Sequence, residues 1–149
     1  MELKTVVTDF KDHLDDYADK IQGQRVVSLI DKDGEQRGEL VWRVASGHTV
    51  EICEFGIHRE GDRRQGWGTR LLNDGIADME AFYATGMTRV RPLLRLWLLA
   101  ESRNEIGRCF YEASGFVEAT TLADFYSDGD AVLFVMDVKK RKSGRPLGN

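Results

Sequence analysis

The 149 residues are 42% apolar and 31% charged, with 21 Lys and Arg against 25 Asp and Glu for a formal net charge of −4. A chain of this size and composition can bury one core without disulfides, and its charge balance excludes general disorder and argues against nucleic-acid binding. No apolar run approaches the roughly 18 residues of a membrane span. The acidic start, MELKTVVTDFKDHLDD, lacks a signal-peptide core, so a cytoplasmic protein away from the membrane is expected.

In chain order, residues 2–7 read as a short strand. Thr8 or Asp9 can cap a helix running to about Ile21, with Phe10, Leu14, Tyr17 and Ile21 on one face. RVVSLIDKDGEQRGELVWRVA reads as a hairpin turning at Asp33-Gly34. HTVEICEFGIHR is a strand apolar on both sides, hence central. A glycine-rich stretch follows. Leu72, Ile76, Met79 and Tyr83 then recur at helical spacing and predict a helix over 67–84. LLRLWLLAE is a buried strand. Asn104 to Ser114 is a helix stopped by Gly115, with Ile106, Phe110 and Ala113 expected in the core. Two strands close the chain around Ser127-Asp128-Gly129-Asp130. Strands and helices in this order predict an α/β three-layer sandwich, a mixed central sheet flanked by helices. One domain is expected over 1–138. The last eleven residues, KKRKSGRPLGN, hold five bases and no acid and read as a flexible basic tail. Cys53 and Cys109 lie in apolar contexts and read as buried, unpaired thiols. Three isolated histidines give no metal site.

The informative stretch is Arg63-Arg64-Gln65-Gly66-Trp67-Gly68-Thr69, between the apolar strand and the helix over 67–84. Two glycines one residue apart let the backbone approach a ligand without a Cβ in the way. Their N–H groups and the first N–H groups of the helix converge, and the helix dipole and two arginines add positive charge. That is a diphosphate cradle. No Gly-Lys-Ser/Thr follows, so it is not a Walker loop, and the third glycine of a dinucleotide fingerprint is missing. By itself the stretch is equally a basic loop. A second segment, Asn104-Glu105-Ile106-Gly107-Arg108-Cys109-Phe110-Tyr111-Glu112-Ala113-Ser114-Gly115-Phe116, follows the buried strand. Asn104, Gly107 or Arg108, and Tyr111 share one helix face. A glycine at 107 costs about 1 kcal/mol relative to alanine, which points to close packing on that face.

Together these segments resemble the Gcn5-related N-acetyltransferase (GNAT) superfamily. Arg63-x-x-Gly66-x-Gly68 matches its Arg/Gln-x-x-Gly-x-Gly/Ala motif. Asn104 to Phe116 matches its Asn-x-x-Ala-x-x-Phe-Tyr-x-x-x-Gly-Phe segment, with Gly107 in place of alanine. The element order agrees over residues 2–138, with the loop between Ile57 and Gly66 one residue longer than the common form. The resemblance implies acetyl-coenzyme A as donor, a primary amine as acceptor, direct transfer without a covalent enzyme intermediate, and no metal.

On that resemblance, Phe55, Gly56, Ile57 and His58 offer backbone groups to the pantetheine arm, as an added strand would. The Phe55 N–H is placed on the thioester carbonyl. Arg63, Arg64, Gln65, Gly66, Trp67, Gly68 and Thr69 cradle the diphosphate. Asn104 and Arg108 join the cofactor set, and Tyr111 protonates the departing thiolate. An amine of pKa near 10.4 is only about 10⁻³ to 10⁻⁴ deprotonated at neutral pH, so a base is required. Glu51 matches the base position of the histone-acetylating branch. Glu54, three residues on, points to the opposite face unless a bulge intervenes. Either could instead pair with an arginine such as Arg43. The later-strand base of the ribosomal-protein branch falls at Leu99, which cannot serve, leaving Glu101 as a substitute. Asp124 to Ala131 is similar to the closing hairpin of ribosomal-protein and N-terminal acetyltransferases, where Tyr126 would hold peptide backbone. The expected acceptor is a protein N-terminus or lysine. Alternatives are a polyamine- or aminoglycoside-like amine drawn by Asp124, Asp128 and Asp130, or a non-catalytic acetyl-coenzyme A sensor. Monomer and homodimer both stay open.

Overall fold

A computed structural model describes residues 3–9, 23–84 and 92–142. The chain packs as two compact units, Met1–Leu93 and Leu94–Asn149.

Among the described residues, the first unit is an antiparallel run of four strands with one long helix. Its strands are β1 (Lys4–Asp9), β2 (Gln24–Ile30), β3 (Gln36–Ser46) and β4 (Thr49–Ile57), each paired with the next. β1 runs two residues past its expected end: Thr8 and Asp9 pair with Val26 and Arg25. The helix expected to end near Ile21 lies outside the described residues. The β2–β3 hairpin turns where predicted. Gly34 takes φ +81, and its N–H donates to the Asp31 carbonyl at 3.0 Å. The Asp31 carboxylate locks the turn by accepting the N–H groups of Asp33 at 2.9 Å and Glu35 at 3.0 Å.

Helix α1 (Trp67–Ala84) has the predicted bounds, after a short 3₁₀ turn at Glu60–Asp62. Its buried side is Leu71, Leu72, Gly75, Ile76, Met79 and Tyr83, the three-and-four stripe visible in the sequence. Leu29, Leu40, Trp42, Val50 and Ile52 are among the buried strand residues of the same unit. Gly75 lets the helix approach β3: a Cβ there would lie 2.6 Å from Leu40 Cδ1. Asp78 fixes the helix rotation, accepting Trp42 Nε1 at 2.9 Å and the fork of Arg25 at 3.0 and 2.9 Å.

The second unit is β5 (Arg95–Glu101), α2 (Glu105–Ala113), β6 (Val117–Tyr126), β7 (Gly129–Asp137) and a short α3 (Val138–Lys142). β7 pairs antiparallel with both β5 and β6. Leu96, Leu98, Tyr111, Phe116, Val132, Phe134 and Met136 are buried. Helix α2 ends as predicted in a glycine cap. Gly115 takes φ +104, its N–H donates to Glu112 O, and Phe116 N–H donates to Tyr111 O. The α2 faces differ from expectation. Ile106 is 68% exposed, Ala113 is exposed and Phe110 only half-buried, while Tyr111 and Ser114 face inward. The thiols differ too: Cys109 is exposed and Cys53 is half-buried. The expected tail begins as helix α3, and residues 143–149 lie outside the described residues.

Candidate functional site

Strand β4 carries the decisive irregularity of the first unit. Trp42 pairs with Ile52, but Val41 pairs with Glu54, so Cys53 is an extra residue in a β-bulge. The bulge resets the alternation. Glu51 opposite Arg43 and Glu54 opposite Val41 therefore lie on one face of the sheet, away from Trp42 and Ile52. The two carboxylates have different company. Glu51 Oε1 accepts Arg43 Nε at 2.7 Å, so the ion pair claims the expected base. Glu54 is exposed. Burial, and next the Glu51 charge, push the Cys53 thiol up to about 11, which leaves it an inert neighbour.

At the end of β4 the backbone groups expected for a pantetheine arm are partly spent. The His58 N–H donates to Arg37 O at 2.9 Å, and Ile57 O accepts Arg63 Nε at 3.2 Å. Gly56 has open space where a Cβ would be.

Downstream, the glycine-rich loop forms a cradle. Arg64 takes φ +61 and Gly66 φ +84, and Gly66 O accepts Arg70 N–H at 3.0 Å as the first bond of α1. The N–H groups of Trp67, Gly68 and Thr69 thus belong to the first turn, which has no intrahelical acceptors for them. Arg63, Arg64, Gln65 and Gly66 are exposed, and a Cβ on Gly66 would meet nothing within 4 Å. Gln65 Nε2 donates to Gly61 O at 2.6 Å, which braces the loop internally. The room above Gly66, the first-turn N–H groups and two exposed arginines fit a diphosphate.

Behind this loop lies a feature that the sequence spacing did not reveal. Arg37 is buried and grips Asp62 with both arms of its fork, Nε to Oδ2 and NH2 to Oδ1, each at 2.7 Å. Its third nitrogen reaches Asp31 Oδ2 at 3.2 Å. The Asp62 bonds, as the largest influence, hold the Arg37 guanidinium above its usual range. Burial pushes Asp31 up, but the Glu35 and Asp33 N–H groups and Arg37 outweigh it and leave that carboxyl low. The three residues are scattered along the chain with no motif spacing, so only the fold brings them together.

In the second unit, Asn104 caps α2: its Oδ1 accepts Gly107 N–H at 3.0 Å. A Cβ on Gly107 would lie 2.4 Å from Asn104 Nδ2, so the small residue at 107 makes room for the cap itself. Arg108, expected at the cofactor, spends its side chain on Ser102 O at 2.8 Å and Glu118 Oε2 at 3.2 Å. Tyr111 is buried against Phe110, Phe116 and Phe134. Burial, with a smaller contribution from Tyr126, pushes its phenol up to about 12. Tyr126 stacks edge-on to Phe125 at 5.1 Å, and burial, then Glu101, raises its phenol. The β6–β7 register slips between Leu122 and Tyr126. Asp124 takes φ +53 in that slip, its N–H held by Asp130 Oδ1 at 2.8 Å. Asp128 pairs with Arg103 at 2.7 Å. Among the described residues no group of three or more His, Cys, Asp and Glu side chains could hold a metal, and no helix is long and apolar enough to cross a membrane.

No family model matches the sequence, and no curated protein matches it. Solved structures do match the fold. A GNAT family acetyltransferase from Elizabethkingia anophelis, with acetyl-CoA bound, superposes with a TM-score of 0.65 at 15% identity, over 89% of this chain and 97% of that one. The IAA acetyltransferase from Bacillus cereus ATCC 14579 gives 0.65 at 14% identity, over 90% and 99%. The chain has the GNAT fold. NAA60 of Arabidopsis thaliana, in complex with a bisubstrate analogue, shares the GNAT fold at a TM-score of 0.61 and 19% identity, over 76% of this chain and 75% of that one. The likeness covers about nine-tenths of the chain in the first two structures and three-quarters in the third.

Proposed function

We propose that this chain is an N-acetyltransferase, a single catalytic domain over residues 1–138 that moves an acetyl group from acetyl-coenzyme A directly to a primary amine. The observation that carries the reading is the cradle. Gly66 at φ +84 opens straight into the N-terminus of α1, flanked by exposed Arg63 and Arg64, on a fold shared with acetyltransferases. Gly66, Trp67, Gly68 and Thr69 hold the diphosphate through backbone N–H groups, and the two arginines neutralise it. Phe55 and Gly56 receive the pantetheine arm. The Phe55 N–H faces the thioester carbonyl, where a fixed donor gains most as charge develops. With Glu51 tied to Arg43, Glu54 is the better acceptor for the amine proton. Tyr111 supplies a proton to the leaving thiolate.

For the acceptor, the hairpin favours a peptide over a small polyamine. Asp128 is already paired with Arg103, and Asp130 is spent on the Asp124 N–H, so these acids brace the turn. Tyr126 is half-buried beside exposed Phe125, which suits contact with peptide backbone. The test has two steps. Saturating acetyl-coenzyme A raises the melting temperature, as any ligand selective for the native state must. Thiol release is then measured against N-terminal peptides, lysine peptides, polyamines and aminoglycosides. Turnover confined to peptides is expected. Turnover only with small amines rejects the acceptor, and binding without any turnover makes the protein a sensor.

A further inference from the structure

We infer that the buried Arg37–Asp62 ion pair, backed by Asp31, is a positioning clamp that holds the loop of residues 60–66 in its diphosphate-binding shape. This rests on the cradle reading above. The loop is not in a conformation its own residues prefer. Arg64 is a non-glycine residue at φ +61, a region that costs about 1–3 kcal/mol and persists only where surroundings impose it. Arg63 to Gly66 are exposed, so packing does not impose it. Beside the Arg63 bond to Ile57 O and the Gln65 brace to Gly61 O, what ties the loop to the buried interior is Asp62, which ends the 3₁₀ turn one residue before Arg63 and is only 5% exposed.

Its partner sits on rigid structure. Arg37 lies in β3, and its side chain is 6% exposed, as buried as Asp31 at 5%. Asp31 in turn is fixed by two backbone N–H groups of the β2–β3 turn. The hairpin is thus one wall of the clamp and the loop is the other. A bidentate fork fixes orientation as well as distance, which a lysine in the same place could not do. An apolar contact would anchor the loop equally well for stability. The fork adds a definite angle for the chain entering Arg63, and with it the direction of the N–H groups from 64 to 66. Asp62 and Arg37 touch neither donor nor acceptor in this account; they act through the loop.

The experiment compares acetyl-coenzyme A with acetyl-pantetheine, which lacks the diphosphate, by calorimetry on the full chain. Asp62→Asn should weaken acetyl-coenzyme A by about tenfold or more, since the charge-assisted fork that sets the loop's direction is lost. Acetyl-pantetheine affinity should be unchanged. Arg37→Lys, which keeps the charge and loses the fork, should show the same selective loss and covers the case in which Asp62→Asn does not fold. Equal weakening of both probes, or of neither, overturns the clamp. If the unaltered protein binds acetyl-coenzyme A no better than acetyl-pantetheine, the cradle reading itself falls. Trypsin then judges the clamp without a ligand. Cleavage after Arg63 and Arg64 should be several-fold faster in Asp62→Asn than in the unaltered protein, and equal rates overturn the clamp.

Discussion

Burial keeps the Tyr111 phenol protonated far above neutral pH, the state that its proposed role as proton donor needs. With the phenol pushed up to about 12, Tyr111 sets no limb of the pH–rate profile below about pH 11. A limb between 7 and 10 would report the amine or its base. Tyr111→Phe keeps the ring against Phe116 and Phe134 and removes the hydroxyl. If the hydroxyl protonates the thiolate, kcat falls on the order of a hundredfold while the affinity for acetyl-coenzyme A holds. Near-normal kcat would leave Tyr111 a packing residue. The same variant has a stability signature. The folded value lies above the ordinary 10.0, so the contribution of Tyr111 is intact below pH 10 and is lost as pH rises toward 12. Tyr111→Phe should therefore unfold at higher pH than the unaltered protein in an alkaline titration. At this scale the sequence supplied residue types but not their partners. Nothing in the spacing of Glu51 and Glu54 tells which one Arg43 will claim, because that depends on cross-strand register.

At the scale of elements, two glycines with matching backbones make a controlled comparison. Gly34 and Gly66 have φ +81 and +84, and a Cβ on either would meet nothing within 4 Å. Alanine at each should cost a similar amount, about 1 kcal/mol of strain. Only Gly66→Ala places its methyl over the cradle, so only it should lose acetyl-coenzyme A binding. Equal binding by both variants would move the diphosphate elsewhere. In helix α2 a second pair is coupled. Asn104→Ala removes an N-cap and should cost about 1 kcal/mol in the unaltered protein. In a Gly107→Ala background the new Cβ already crowds the Asn104 side chain, so the further cost should shrink toward zero; equal costs in both backgrounds would show that the cap survives. The bounds of α1 and the β2–β3 hairpin were legible because periodicity and turn chemistry are local signals. The β4 bulge was not, since an inserted residue in an apolar strand leaves the pattern unchanged until its partner strand is known. The α2 faces were misread for a related reason: the apolar residues Ile106 and Ala113 suggested a core face, while the caps and Tyr111 turn the helix the other way.

For the whole molecule, the field of the protein opposes its proposed ligand. The net charge is −4, and acetyl-coenzyme A is strongly anionic, so binding depends on local positive charge prevailing over the total. The sequence made this balance visible, since Arg63 and Arg64 stand together beside the glycines. It did not show that Arg63 also leans back to Ile57 O, sharing its charge with the end of β4. Salt separates the two contributions. At 0.1 M the screening length is about 10 Å, and at 1 M about 3 Å, so distant acids are screened first and contacts within the cradle last. If exposed arginines and first-turn N–H groups carry the diphosphate, raising salt from about 0.05 to 0.5 M should weaken acetyl-coenzyme A by roughly three- to tenfold. Acetyl-pantetheine, without the diphosphate, should be nearly insensitive over the same range. Replacing both Arg63 and Arg64 by glutamine should flatten the salt dependence while the backbone N–H groups retain part of the affinity. An affinity that instead rises with salt would mean that the ligand meets the acidic field of the molecule and no basic cradle, and the diphosphate would have to be assigned to another surface.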